Sequence, residues 1–478
     1  MSALPEVPEL QLDAPREEVL QQAARLIVAG WSSFDAARHG QPRVDDHVRE
    51  MLREGLPDQA VPVADALAEA AQILDESIAQ PRPRYFAFVG SSGLPIGVVG
   101  DALASCFDIN LAVYAGAASE IEEQAVRWVG ELIGFPVGGG AFTSGGTISN
   151  LTALAAARER ALPGAREHGL SGMRPAVYCS QEAHYSVMRA VELLGIGARN
   201  VRALAIDEHR RLRAGAVAEA IDGDRAEGIT PVAVVATAGT TLTGAIDPID
   251  ELADVCSRRD VWLHVDGAYG VAAAAVPRMS RSFAGLDRAD SVSLDAHKWL
   301  YLPKACGLIA VRRREDLHHS FAHDEGYMPH ERDEPHAVDV TLEYSRPFRA
   351  LKLWLAFRVH GAEAFRRAID RNLRQAALLY AEIGLHPDLE PLAPPQLSIV
   401  PFRHVPDGVS DLDDHNARLG RELQRDARVY VAPAVIDGHV YLRPCIVNFR
   451  TSDADVRALV EIAREVGNRL AREREVLR

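Results

Sequence analysis

Residues 261–270 read VWLHVDGAYG. An apolar run ends on a carboxylate, Asp266, and small residues follow. Upstream, PVAVVATAG (231–239) has the same texture, apolar without strict alternation. Runs of this kind belong to strands buried on both faces, as in a parallel sheet covered by helices. AVYCS (176–180), DSVSLDAHKW (290–299) and GLIAVR (307–312) extend the set, with helical stretches between them. Strand and helix in alternation predict an α/β layered domain. Open sheets of this class bind ligands beyond the carboxyl ends of their strands. Asp266 stands at such an end.

Outward from this core the texture changes. Residues 15–34 and 63–80 place apolar side chains at helical spacing, and PRPRY (81–85) marks a proline-rich boundary. Residues 346–383 form a long helical stretch leading to a last part that mixes strands (LSIVPF, RVYVAP, VYLRPCIVNF) with an amphipathic helix from about Asp453. The expected organisation is an N-terminal helical segment over 1–84, a large α/β domain over 85–350 and a small α+β domain over 351–478. No internal repeat and no low-complexity segment interrupts it.

Composition narrows the function. The 478 residues are 47% hydrophobic and 25% charged, an ordinary globular balance. A net charge of -15 argues against a nucleic-acid partner. No apolar run approaches a membrane span and no signal peptide is visible, so a cytoplasmic enzyme without membrane contact is expected. Five scattered cysteines suggest neither a disulfide framework nor a zinc site.

Only three lysines occur, Lys298, Lys304 and Lys352, among 52 basic residues. A chain that otherwise chooses arginine keeps lysine where an amine that can lose its proton is useful. Lys304 follows a proline in a loop and Lys352 sits in a predicted helix, which leaves Lys298 at the end of SVSLD. Besides VWLHVDGAYG, three further stretches lie at strand ends. In AFTSGGTISNLTALAAARERA (141–161), Gly145, Gly146 and Thr147 open a helix whose N-terminus suits a phosphate. Neither a Walker pattern nor G-x-G-x-x-G is present. In YCSQEAHYSVMRA (178–190), His184 can stack on a planar ligand. ATAGTTLTGAIDPI (236–249) offers the hydroxyls of Thr240 and Thr241. Each piece alone also fits a plain cap or turn. A phosphate cradle, a buried aspartate, a histidine, hydroxyls and an amine in one α/β unit share a natural guest, pyridoxal 5′-phosphate. The amine would form the Schiff base and the aspartate would keep the pyridine nitrogen protonated.

These segments resemble the pyridoxal-phosphate group II amino acid decarboxylases, the aromatic-L-amino-acid decarboxylase-like family, from about Pro81 to the end. DAHKW is similar to the segment carrying the Schiff-base lysine, which gives Lys298 that role and sets Asp295 and His297 beside the cofactor. HVDGAYG is similar to H-V-D-A-A-[YW]-G. The resemblance implies that Asp266 pairs with the pyridinium and Ala268 packs under the ring, while Gly267 replaces the second alanine. EAHYSV makes His184 the stacking histidine. TSGGT gives Gly145, Gly146 and Thr147 to the phosphate, and ATAGTT sets Thr241 near the ring hydroxyl. In VYLRPCIVNFRT, Arg443 reaches the substrate carboxylate or braces the fold. The implied architecture is an aspartate-aminotransferase-like fold type I homodimer, with sites at the interface and the N-terminal helices on the partner.

The implied reaction is decarboxylation of an L-α-amino acid to an amine through the Lys298 Schiff base and a quinonoid. Catalytic roles fall to Lys298, His184 and Asp266. Substrate-contact candidates are Phe88, Ser91, Tyr327, His336 and Arg443, with no metal. Aromatic members of the family carry a loop tyrosine that helps protonate Cα. Counted back from Phe348 and Arg349, its place falls near His336 and Ala337, where no tyrosine stands. Tyr327 and Tyr344 are nearest, and His323, His330 and His336 are alternative acids. Decarboxylation-dependent oxidative deamination to an aldehyde, ammonia and peroxide is therefore the second reading. Aminotransfer or β-elimination on the same fold is more distant.

Overall fold

The computed structural model describes residues 12–35, 44–323 and 336–476. Seven strands form the central sheet: β1 (Gly139–Thr143), β2 (Pro175–Ser180), β3 (Val201–Leu204), β4 (Thr230–Thr237), β5 (Trp262–Asp266), β6 (Ser291–Asp295) and β7 (Gly307–Val311). Their order is β1-β7-β6-β5-β4-β2-β3. Strands β3, β2, β4, β5 and β6 run parallel. Strand β7 runs antiparallel to both its neighbours, β6 and β1.

Both faces of this sheet are covered, which explains the unbroken apolar runs. Val234 and Ala236 of β4 face one core layer with Leu263 and Val265 of β5 and Val292 and Leu294 of β6. Ala233 and Val235 face the other with Trp262 of β5 and Ile309 of β7. The helix Gly146–Ala161 lies over this second face. Its buried run Ala153, Leu154, Ala155, Ala156 and Ala157 is mostly alanine, so the helix backbone sits close to the sheet. Burial of each larger apolar side chain here contributes about 1.5–3 kcal/mol.

The helix Ala350–Gly384 joins the two domains. It breaks at Gly361, where φ 72 and ψ 154 are non-helical. Before the break Trp354 donates to Gln124 and stacks on Trp128 of the helix Ala117–Ile133. After it, Leu379 and Ile383 enter a separate core with Val456 and Leu459 of the helix Asp453–Val476. The small domain's sheet is antiparallel, β10-β11-β9-β8, built from β8 (Leu389–Pro391), β9 (Phe402–His404), β10 (Pro433–Ile436) and β11 (His439–Leu442). Its strands are shorter than the sequence suggests. LSIVPF is extended but contributes only a bridge from Ile399 to Cys445 ahead of β9. The segment after PRPRY also lies with this domain: Phe86 fills its core and Tyr85 stacks on Tyr430.

The helices Arg16–Phe34 and Val63–Asp75 lie against one another, and neither buries a residue in this chain. Among the described residues no helix is long and apolar enough to cross a membrane.

Candidate active site

Strand alternation on β5 and β6 builds the floor of the site. His264 and Asp266 point to the face under the helix Gly146–Ala161, and so do Ser291, Ser293 and Asp295, because His264 pairs with Ser291 and Asp266 with Ser293. This polar seam runs up an otherwise apolar layer and ends in two carboxylates. Asp266 Oδ2 accepts from Asn150 Nδ2 at 2.8 Å, and Oδ1 accepts from the Ala268 N–H at 3.2 Å and from Ser293 Oγ at 3.4 Å. Among the described residues no cation forms an ion pair with Asp266, although the side chain is buried.

Above the two carboxylates lies a cavity of about 310 Å³. Gly145, Gly146 and Thr147 line it, as do His184, Thr241, Asp266, Ala268, Asp295, His297 and Lys298. All the residues expected around a cofactor thus share one wall system. Lys298 sits in the single helical turn Ala296–Trp299 that follows β6, and its Nζ lies 2.9 Å from Asp295 Oδ2. Trp299, fully buried and stacked on Tyr269, anchors that turn. The other lysines are elsewhere: Lys352 is buried on Asp101 at 2.9 Å and Lys304 is exposed. His297 Nδ1 accepts from the Cys306 N–H at 3.1 Å, and burial pushes its imidazole below the ordinary histidine range. His184 caps the helix Tyr185–Leu193 by accepting from the Ser186 N–H. Burial lowers its pKa too, against the opposing pull of Asp266.

The geometry also adds residues that the sequence did not single out: Asn150, Ser186, Thr237, Val89, Ile148 and Tyr269 line the same cavity. The proposed substrate contacts are placed differently. Phe88 is 56% exposed at a positive φ of 56, and its neighbour Val89 lines the cavity instead. Ser91 Oγ is committed to the Leu302 carbonyl at 2.7 Å. Arg443 donates to the Thr241 carbonyl at 3.0 Å, which braces that turn. His336 is buried in a separate small cleft, where its Nδ1 accepts from the Tyr114 N–H at 2.9 Å. Thr240 is spent on its own turn, bonded to Thr243 and to the Ala245 N–H. Tyr327 and His330 lie outside the described residues.

A profile described as the pyridoxal-dependent decarboxylase conserved domain matches residues 46–405. The chain belongs to this pyridoxal-dependent decarboxylase family. An aromatic-L-amino-acid decarboxylase of Bacillus atrophaeus is 35% identical over 461 residues, 94% of each chain. Tryptophan decarboxylase 2 of Oryza sativa subsp. japonica is 28% identical over 87% of each. A crystal structure of Oryza sativa TDC with PLP and tryptamine superposes with a TM-score of 0.90 at 25% identity, covering 98% of this chain and 100% of that one. Mouse CSAD gives 0.87 at 25% identity, over 94% and 98%.

Family membership makes the chain a pyridoxal-phosphate-dependent amino acid decarboxylase of fold type I. Its own residues fit the cofactor. A buried carboxylate with no ion-paired cation among the described residues, Asp266, matches a protonated ring nitrogen. Gly146 leaves room that a side chain would fill, since a Cβ there would stand 2.9 Å from the Ala268 Cβ and 3.2 Å from Asp295 Oδ2. The buried Thr237 hydroxyl has no partner among the described residues and is free for a ligand.

Proposed function

We propose that this decarboxylase acts on an aromatic L-amino acid and releases the amine, with Lys298 as the nucleophile that takes the cofactor aldehyde. The observation that carries the chemistry is one cavity whose described lining holds a single lysine amine and a buried carboxylate, Asp266, with no ion-paired cation among the described residues. Pyridoxal phosphate supplies an electron sink for the pair left behind when carbon dioxide departs. The remaining work is the chain's. Asp266 holds the ring-nitrogen proton. Gly145, Gly146 and Thr147 offer backbone N–H groups and a helix N-terminus to the phosphate. Asp295 Oδ2, 2.9 Å from Nζ, is the group in reach to take and return the lysine proton. His184, kept neutral by burial, forms a wall without adding charge.

The aromatic assignment is supported by the 35% identical relative and by the cavity lining. Val89, Ile148 and Tyr269 contribute apolar surface, and among the described lining residues there is no arginine to receive an acidic side chain. The test is a mass-spectrometric panel of amino acids run with and without oxygen. We expect equal amounts of carbon dioxide and amine from aromatic substrates, independent of oxygen. Preference for aspartate or glutamate would overturn the substrate class. A second reading, oxidative release of an aldehyde, is supported by the absence of tyrosine at residues 336 and 337 and by the engagement of His336 elsewhere. Oxygen uptake with peroxide and ammonia would favour it.

A further inference from the structure

The polar seam under the site has a direction, and one side chain sets it. We infer that Asn150 is a positioning residue joining two walls of the cofactor site: it orients the Asp266 carboxylate and, through Ser186, fixes which nitrogen of His184 carries the proton. This rests on the cofactor reading proposed above.

Asn150 is 1% exposed, so its amide must be satisfied internally. Nδ2 lies 2.8 Å from Asp266 Oδ2 and 2.9 Å from Ser186 Oγ, while Oδ1 lies 3.0 Å from His264 Nε2. The reverse orientation would set Oδ1 against a carboxylate oxygen, acceptor against acceptor. The carboxylate therefore dictates that Nδ2 spends both hydrogens and that Oδ1 accepts.

The rest follows proton by proton. His264 Nε2 must donate to Oδ1. His264 is fully buried, and burial pushes its pKa down to about 4, so the ring is neutral and its Nδ1 is an acceptor. Ser291 Oγ fills that need at 2.8 Å and itself receives the Trp262 Nε1 proton at 2.9 Å. At the other end Ser186 Oγ accepts from Asn150, so its own hydrogen goes to His184 Nδ1 at 2.8 Å. The Ser186 N–H points to the same nitrogen at 3.3 Å. Neutral His184 then carries its proton on Nε2 and presents a donor, not a second acceptor. Every hydrogen from Trp262 to His184 has one consistent place. A bridge that only tied helix to sheet would not need to end on the two groups that line the cavity.

The experiment measures pyridoxal phosphate binding to apo protein by fluorescence quenching, with the visible absorbance of the bound cofactor as a second readout. Asn150→Leu keeps the volume and removes the donors; we expect affinity at least about tenfold weaker than wild type. Asn150→Asp decides the matter if the leucine variant fails to fold. It keeps an oxygen for His264 but turns a lone pair toward Asp266. Asp266 and His264 touch this position, His184 faces it through Ser186, and Lys298 and Asp295 line the same cavity. Two adjoining carboxyls share a proton as the pH falls, which restores a donor. The ratio of Asn150→Asp to wild-type dissociation constants should thus be large at about pH 8 and shrink several-fold toward about pH 6. Wild-type affinity in either folded variant, or a ratio that does not change with pH, overturns the inference. Failure of the wild-type chain to bind pyridoxal phosphate would instead remove the functional reading on which it stands.

Discussion

Lys298 owes its chemistry to a proton it can give up, and arginine has no equivalent. Replacing it by either alanine or arginine should abolish the visible band of the bound cofactor and lower turnover about a thousandfold or more, read by absorbance and carbon dioxide release. A retained band would refute the assignment. Buried histidines make a second prediction at this scale. His264 and His415 are each pushed by burial down to about 4, below the unfolded value. Groups with depressed folded pKa values favour folding above the unfolded pKa. That contribution is lost as the pH falls from about 6.5 to about 4. Thermal melts of the apo protein should therefore fall steeply in this window, and less steeply for His415→Gln. The sequence singled out Lys298 by its rarity, and Asp266 and His184 by their places after apolar strands, and the fold sets all three around one cavity. Asn150, Ser186 and Thr237 stayed hidden because short polar residues near helix starts and strand ends serve ordinarily as caps and turns. Only the fold brings Asn150 within reach of Asp266, 116 positions away.

At the level of elements, β4, β5 and β6 were legible because burial on both faces leaves an apolar run that little else produces. The seam within β5 was not, since one histidine in VWLHVD looks like noise until the register with β6 is known. Short strands of the small domain were legible only as extended chain, because three- and four-residue pairings leave almost no pattern. Gly267, where the family pattern has alanine, is explained by the turn after β5. A Cβ there would stand 2.4 Å from the Val271 Cβ and 2.9 Å from the Ser293 carbonyl. Gly267→Ala should cost about 1–3 kcal/mol in urea unfolding. It should also weaken cofactor binding, because the strain falls between Asp266 and Ala268. Unchanged stability would mean that the turn relaxes freely.

For the whole molecule, the telling feature is the N-terminal pair of helices. Leu20 is 69% exposed and Leu74 71%, and Phe107, at the end of the helix Pro95–Phe107, is 75% exposed. Apolar surface of this kind is typical of interfaces, and the expected occupant is a second copy of the chain. Removing residues 1–80 should yield a monomer in sedimentation experiments, with activity lost. A truncated protein that stays dimeric would assign the interface elsewhere.

The long helix Ala350–Gly384 carries a different consequence. Beyond the break at Gly361, Phe365, Ile369 and Leu373 still pack in the large domain's core, and only Ala376, Leu379 and Ile383 enter the small domain's core. A rod seated in both cores ties the lobes together, so parting one lobe from the other would first have to strip apolar side chains out of a packed interior.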